Sequence, residues 1–257
     1  MPKKLLLLDI NELSSLIAGF WKKSKIFQSE AQFQFELAWE LKKYYDCEVF
    51  LEDLTMIINI SKGKSQQKVY TDIVLEKGDY RVAIELKYKT APLIYGSVML
   101  FKHGATDLGR FDYLWDVHRL ELLASPTTKV PLEKKQIAGM TGIRENDVDI
   151  KVIKKCDKGF AILLTNEISY WEKSYNKCST IDSEFCFAET DSRLYDKVLD
   201  WKKTVVGYPK TVVGTFRGRS INLLKAYGYQ WKQYCKVVAP KNNEFKYIII
   251  ETNREKS

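Results

Sequence analysis

Histidine is nearly absent from the chain, with His103 and His118 the only two in 257 residues. Histidine-rich metal sites therefore drop out, and carboxylates become the natural ligands for any metal. The five cysteines (Cys47, Cys156, Cys178, Cys186, Cys235) are odd in number and include no CxxC pair. That argues against a disulfide framework and against a structural zinc site. No run of about 18 apolar residues occurs, so no spanning helix is expected. The run Leu5 to Leu8 is too short for a signal-peptide core and has no small-residue cleavage site, so cytoplasm is the expected compartment. Internal repeats, low-complexity tracts and a convincing linker are also lacking, which favours one domain.

What is present is a chain able to bury a core. Hydrophobic residues make up 45% and aromatics 13%, which excludes wholesale disorder. Basic residues outnumber acidic ones 41 to 33, for a net charge of +8. A moderate basic excess favours a polyanionic partner, although many proteins with this balance bind no nucleic acid.

Residues 9–22 space Ile10, Leu13, Leu16, Ile17, Phe20 and Trp21 as one buried helical face. Residues 29–45 predict a stronger helix: Ser29 suits the N-cap, Gln32 completes a capping box, and Phe33, Leu37, Ala38, Leu41, Tyr44 and Tyr45 form a stripe. Three strands should follow, over 47–52, 68–76 and 80–88, the last two joined by the turn Lys77-Gly78-Asp79. Alternation puts Tyr70, Asp72 and Val74 on one face of the second strand. On the third it puts Val82, Ile84, Leu86 and Tyr88 on one face, and Ala83, Glu85 and Lys87 on the other. A helix is expected over 106–123, with an apolar side from Leu108, Phe111, Leu114, Trp115, Leu120 and Leu122. Residues 125–158 read as a long loop or a small excursion, 159–165 as a buried strand, 191–203 as a helix, 227–237 as an aromatic segment and Phe245 to Glu251 as a last strand.

Asp72, Glu85 and Lys87 carry the chemistry in this order of elements. Glu85 and Lys87 project together, and the hairpin register decides whether Asp72 joins them. Two carboxylates suit a hard cation such as Mg²⁺, which neutralises phosphate oxygens and acidifies a bound water. A nearby lysine can orient or deprotonate that water and stabilise charge in the transition state. The competing reading is a solvated strand face with a cross-strand ion pair.

Thr71-Asp72, then Glu85-Leu86-Lys87, preceded by the helix beginning Ser29-Glu30-Ala31-Gln32-Phe33-Gln34, resembles the PD-(D/E)XK nuclease superfamily. The resemblance covers roughly residues 29–165, and Thr71 stands where the family has its name-giving proline. It implies an α/β fold: a mixed central sheet flanked by helices, with a restriction-endonuclease-like core (αβββαβ). The single nuclease-like domain, 1–257, would hold that core at about 29–165, an N-terminal helix in 1–28 and a C-terminal extension in 166–257. The activity implied is Mg²⁺-dependent hydrolysis of DNA, with Mn²⁺ able to substitute, leaving a 5′-phosphate and a 3′-hydroxyl. RNA as substrate and a homodimer stay open. Asp72, Glu85 and the Leu86 backbone carbonyl would bind the metal. Glu30 would complete the shell, with Glu36 and Glu40 as rivals on the same helix.

Other residues have two readings each. Glu30 also suits the helix dipole, and Gln34 either orients Glu30 or a water, or is solvated. Glu52 either joins the acids or starts a turn. Arg110 and Arg119 contact phosphate, or belong to a salt-laced helix face with Asp112 and Asp116. The like-charge pair Asp112 and Asp116, four residues apart, asks for outside partners. Arg217-Gly218-Arg219 could meet one nucleic-acid backbone; it and the clusters Lys22-Lys23-Lys25 and Lys154-Lys155 could equally be solvated surface. Tyr227, Tyr229, Trp231 and Tyr234 stack on bases or pack as a C-terminal core. A nucleic-acid-binding module of the same fold without catalysis, and a protein-interaction scaffold, are the alternatives to an enzyme.

Overall fold

The structure, a computed structural model, describes residues 2–23, 25–60, 65–124, 148–174, 180–194, 198–202, 217 and 220–253. Helix α1 spans Ile10–Lys22, with Asp9 Oδ1 accepting from the N–H groups of Asn11 and Glu12. Helix α2 spans Glu30–Tyr44, and Ser29 Oγ accepts from Gln32 N–H at 3.1 Å. Gln32 reaches back to the N–H of Gln28 at 2.8 Å, one residue before the cap. Both helices thus begin where their capping residues dictate.

Three strands follow: β1 Glu48–Ile60, β2 Ser65–Lys77 and β3 Tyr80–Lys89. Gly78, at φ +59°, makes the tight turn between β2 and β3. The first strand does not stop at residue 52 as expected. Glu52 sits in it at φ +48°, and the strand resumes pairing with β2 at Asp53. A short hairpin, β4 Leu93–Tyr95 and β5 Val98–Leu100, precedes helix α3, Thr106–Ala124. Strand β6, Val148–Val152, lies within the stretch expected to be a loop or a small excursion and pairs with β1. Strand β7, Lys158–Thr165, runs parallel to β3.

Beyond β7 come the short helix α4 Ser169–Glu172 and the two-residue strands β8 Arg193–Leu194, β9 Val198–Leu199, β10 Ile221–Asn222 and β11 Tyr227–Gly228. The helix expected over 191–203 is replaced, among its described residues, by β8 and β9, which pair with β11 and β10. Strands β12 Lys232–Lys236 and β13 Glu244–Asn253 close the chain. The main sheet is seven-stranded and mixed, in the order β12-β13-β7-β3-β2-β1-β6. The protein is therefore α/β, and its tail adds two strands to the sheet beyond the core expected at 29–165.

The sheet buries both faces, as its near-continuous apolar strands β3 and β7 require. One face meets α1 and α2 through Phe33, Leu37, Leu41, Ile84, Leu86 and Tyr88. Each of these fully buried side chains contributes about 1.5–3 kcal/mol. The other face meets α3 through Ala83, Ala161, Leu163, Leu114 and Leu120. Gly159 permits that close approach, because a Cβ there would stand 2.4 Å from Thr252 Oγ1 and 3.0 Å from Leu120 Cβ. Helix α3 is not one-sided as its pattern suggested: Phe185, Phe187, Trp201 and Trp231 of the C-terminal part cover its outer side. Tyr227, Tyr229, Trp231 and Tyr234 are all buried, so the packed-core reading holds for them. No helix among the described residues is long and apolar enough to cross a membrane.

Candidate active site

Pairing between β2 and β3 runs from Lys77↔Tyr80 to Ile73↔Ile84 and stops there. The next residue of β2 is Asp72, and the next of β3 is Glu85. At this fork the backbone groups of β3 lose their strand partner and need others. Side chains supply them. Asp72 Oδ2 accepts from the Leu86 N–H at 2.6 Å, and Glu30 Oε2 accepts from the Tyr88 N–H at 2.6 Å. Amides two residues apart leave a strand on the same side, so Asp72 and Glu30 line one edge of β3. Leu86 directs its carbonyl to that edge as well, since a residue's N–H and C=O share a side in a strand. Lys87 Nζ donates to this carbonyl at 3.1 Å.

Glu30, in the first turn of α2, thus also turns its carboxylate to β3. Its rivals lie elsewhere: Glu36 pairs with Lys25, and Glu40 with Lys23 and Lys43. Gln34 is not merely solvated. Its Nε2 donates to the Asp72 carbonyl at 2.7 Å and to Glu52 Oε1 at 2.9 Å. Glu52 therefore meets the site through Gln34.

Glu85 and Lys87 share the opposite face of β3, under α3. Glu85 is 2% exposed, so the solvated-face reading fails. Its partner is the Arg119 guanidinium, whose Nη2 also donates to the Tyr70 carbonyl at 2.6 Å. Lys87 Nζ stands 2.6 Å from Asp116 Oδ2, and Asp116 Oδ1 lies 3.4 Å from Arg119 Nη1. Asp116 is the residue sequence reasoning missed as part of the site. Its signal was the like-charge pair with Asp112. Each acid has the outside partner that pair called for, Asp116 in Lys87 and Arg119, Asp112 in Arg217 Nε and Nη2 at 2.8 Å each.

Arg110 must be removed from the phosphate-contacting set. It is fully buried, pairs with Asp182 at 2.7 Å, donates to the Ser169 carbonyl at 2.6 Å and lies over the Tyr170 ring. No nucleic acid can reach it. Arg119 and Gln34 are at the fork, Arg217 is at Asp112, and Arg219 lies outside the described residues. The basic residues Lys23, Lys25 and Lys154 are committed to Glu40, Glu36 and Asp53.

The electrostatics of the fork are lopsided. Four carboxylates (Glu30, Asp72, Glu85, Asp116) act on two cations (Lys87, Arg119). Burial raises Asp72 to about 6, against the pull of the Lys87 ammonium and the Leu86 N–H. Burial likewise pushes Glu85 well above the carboxylate range, with Asp116 and Asp72 adding and Arg119 opposing. Burial would lower Lys87, but Asp116, Asp72, Glu30 and Glu85 outweigh it and hold the ammonium above its ordinary range.

Set against known proteins, the chain matches no family model, no curated protein and no solved structure. Among the described residues no three His, Cys, Asp or Glu side chains are grouped to hold a metal by themselves. Asp72, Glu85 and the Leu86 carbonyl are nonetheless hard oxygen donors in a pocket where acids outnumber cations. That set fits a Mg²⁺-like ion, which keeps several waters and takes one or two carboxylates along with substrate oxygens. The fork opens into a cleft of about 290 Å³ between the distal part of the β1–β2 hairpin and α3, with Lys87, Asp116 and Arg119 in its wall.

Proposed function

We propose that the chain is a metal-dependent endonuclease that hydrolyses DNA phosphodiester bonds on a restriction-endonuclease-like core. The element order α2, β1, β2, β3, α3, β7 supports the core. One observation carries the activity: Asp72 and Lys87 bond the N–H and C=O of Leu86 where β2 parts from β3, Glu85 is the adjoining residue and feels both charges, and an open cleft lies beside them. Asp72, Glu85 and the Leu86 carbonyl would hold Mg²⁺, or Mn²⁺ in its place, with Glu30 supporting the shell. When bound, the ion neutralises phosphate oxygens and lowers the pKa of a bound water. Lys87 stays protonated among its carboxylates, so orienting water and stabilising phosphorane charge suit it better than deprotonation. Asp116 fixes the Lys87 ammonium. Arg119 stands within reach of the same cleft and can exchange Glu85 for a phosphate oxygen. Gln34 fixes the Asp72 backbone.

Cleavage of supercoiled plasmid and single-stranded DNA in Mg²⁺ tests this. Lys87→Ala should lower the rate about 10²–10³-fold, the usual effect of removing one preorganised charge donor. Equal rates for the two proteins would end the proposal.

One observation favours a second reading, a nucleic-acid-binding module without catalysis: Glu85 is already closed by Arg119, and Lys87 by Asp116. Calorimetric titration of Mn²⁺ separates the two. Heat of binding that disappears in Asp72→Ala supports the enzyme, and no heat in either protein supports the inert module.

A further inference from the structure

We infer that the cleft beside the fork takes one unstacked nucleobase next to the phosphate to be cut, so that the substrate is a single-stranded or locally opened DNA. This rests on the nuclease reading and adds a substrate class to it. The cleft, at about 290 Å³, lies at the small end of ligand pockets, which run from roughly 300 to 1,000 Å³. It has room for one planar ring system.

Its lining mixes two chemistries. Met56 and Ile58 of β1 and Trp115 and Leu122 of α3 give apolar surface, and Lys87 and Arg119 add cations beside it. A nucleotide combines the same two chemistries, an apolar ring face and an anionic phosphate. The acids in the wall, Asp112 and Asp116, already have partners in Arg217 and Lys87, so they do not oppose a phosphate as free carboxylates.

Tyr70 supplies the stacking surface. Its residue is 43% exposed at the cleft wall, although it belongs to a strand of the main sheet. Its carbonyl is held by Arg119 at 2.6 Å, so the backbone that carries the ring is fixed before any ligand arrives. Aromatic rings that stack on bases tolerate any sequence, because every base has a π-face. A base already unpaired enters such a pocket most easily, since pairing and stacking need not be broken first.

Fluorescence anisotropy in EDTA tests the inference without cleavage. The probes are a short oligothymidylate, an abasic strand of the same length and charge, and a duplex of that length. Wild type should bind the oligothymidylate about 10-fold more tightly than the abasic strand, the scale of one base stacking on one ring. Tyr70→Ala should bring the two within about 2-fold, and Tyr70→Phe should keep the difference, which guards against a folding defect. Equal binding of both strands by wild type, an undiminished preference in Tyr70→Ala, or tighter binding of the duplex overturns the inference. If plasmid is cut while the abasic strand binds as well as the natural one, the nuclease stands and the base pocket falls. If the strands are discriminated but nothing is ever cut, the pocket stands and the nuclease falls. If neither strand binds, the base pocket falls, and plasmid cleavage in Mg²⁺ decides the nuclease separately.

Discussion

Helix α3 carries two buried charge systems on opposite sides, and they are built to different rules. Around Arg110 the charges are closed. Asp182 receives Arg110 Nη1, Lys173 Nζ and Thr180 Oγ1, at 2.7, 2.7 and 2.6 Å. Burial alone would raise its carboxyl, yet those donors and the Arg110 charge hold it below the ordinary range. Around Asp116 and Arg119 the charges are left open. Four acids share two cations, and burial wins at Asp72 and Glu85. A closed system keeps its acid ionised inside the fold without help from a ligand. An open one waits for positive charge from outside, which is what a divalent ion brings.

The largest effect expected from this contrast is on the closed side. Arg110→Ala removes one partner of a buried pair, a change that costs about 3–5 kcal/mol. In a chain of this size that lowers the melting temperature by on the order of 10 °C. Scanning calorimetry would show it. A fall of only a degree or two would mean that Lys173 and Thr180 satisfy Asp182 unaided, and the two systems would no longer differ in kind.

How much of the contrast was legible beforehand follows from helix geometry. Arg110 and Arg119 looked alike in sequence, as basic residues on a salt-laced helix. They are nine residues apart, and at about 100° per residue they point to opposite sides. One side meets the C-terminal layer, the other meets β3. That separation could have been drawn from the spacing, but which side faces a cleft depends on the tail, whose pairings are long-range. The same long-range pairing defeats the helix expected at 191–203: Leu194 and Leu199 are tied to Tyr227 and Ile221. By contrast, α2 and the β2–β3 hairpin were legible because Ser29, Gly78 and the alternation through Glu85 and Lys87 act locally. Asp72 lay between the two cases. Its face followed from alternation, but its place beside Leu86 required the ladder to end at Ile73.

On the open side, removing an acid should help the fold. Asp72→Asn keeps an oxygen for the Leu86 N–H and deletes a charge that burial penalises. The shift from 3.8 to about 6 corresponds to a gain of about 1–3 kcal/mol near neutral pH, at about 1.4 kcal/mol per pH unit with allowance for partial exposure. The mutant should melt higher than wild type while losing DNA cleavage. A lower melting temperature would show that the Asp72 charge is already satisfied.

The same shift fixes a pH dependence and its sign. Asp72 has a folded value above its unfolded one, so its contribution is fully present below about 3.8 and is lost as pH rises through about 6. Glu85 is also raised and adds in the same direction. Asp182 is lowered, so its contribution is present above 3.8 and is lost only as pH falls further. Urea unfolding between pH 4 and 7 should therefore show wild type weakening with rising pH, and Asp72→Asn weakening less. Parallel curves would assign the slope to other groups.

The smallest effect expected lies at the hinge of the fork. Because the β2–β3 ladder ends at Ile73, the Asp72 carbonyl is bound by the side chain of Gln34, which also holds Glu52. Gln34→Ala leaves that carbonyl to water at the edge of the cleft, a loss of about 1 kcal/mol or less, since one neutral hydrogen bond is exchanged for another. Stability should hardly change. The Asp72 carboxylate would lose the anchor of its own backbone, so the Mn²⁺ affinity measured by calorimetry should fall a few-fold, while Gln34→Glu should weaken folding by adding a fifth acid to the four. If Gln34→Ala binds Mn²⁺ as wild type does, the fork is held by the strands alone, and the open system owes its geometry to the sheet and not to α2.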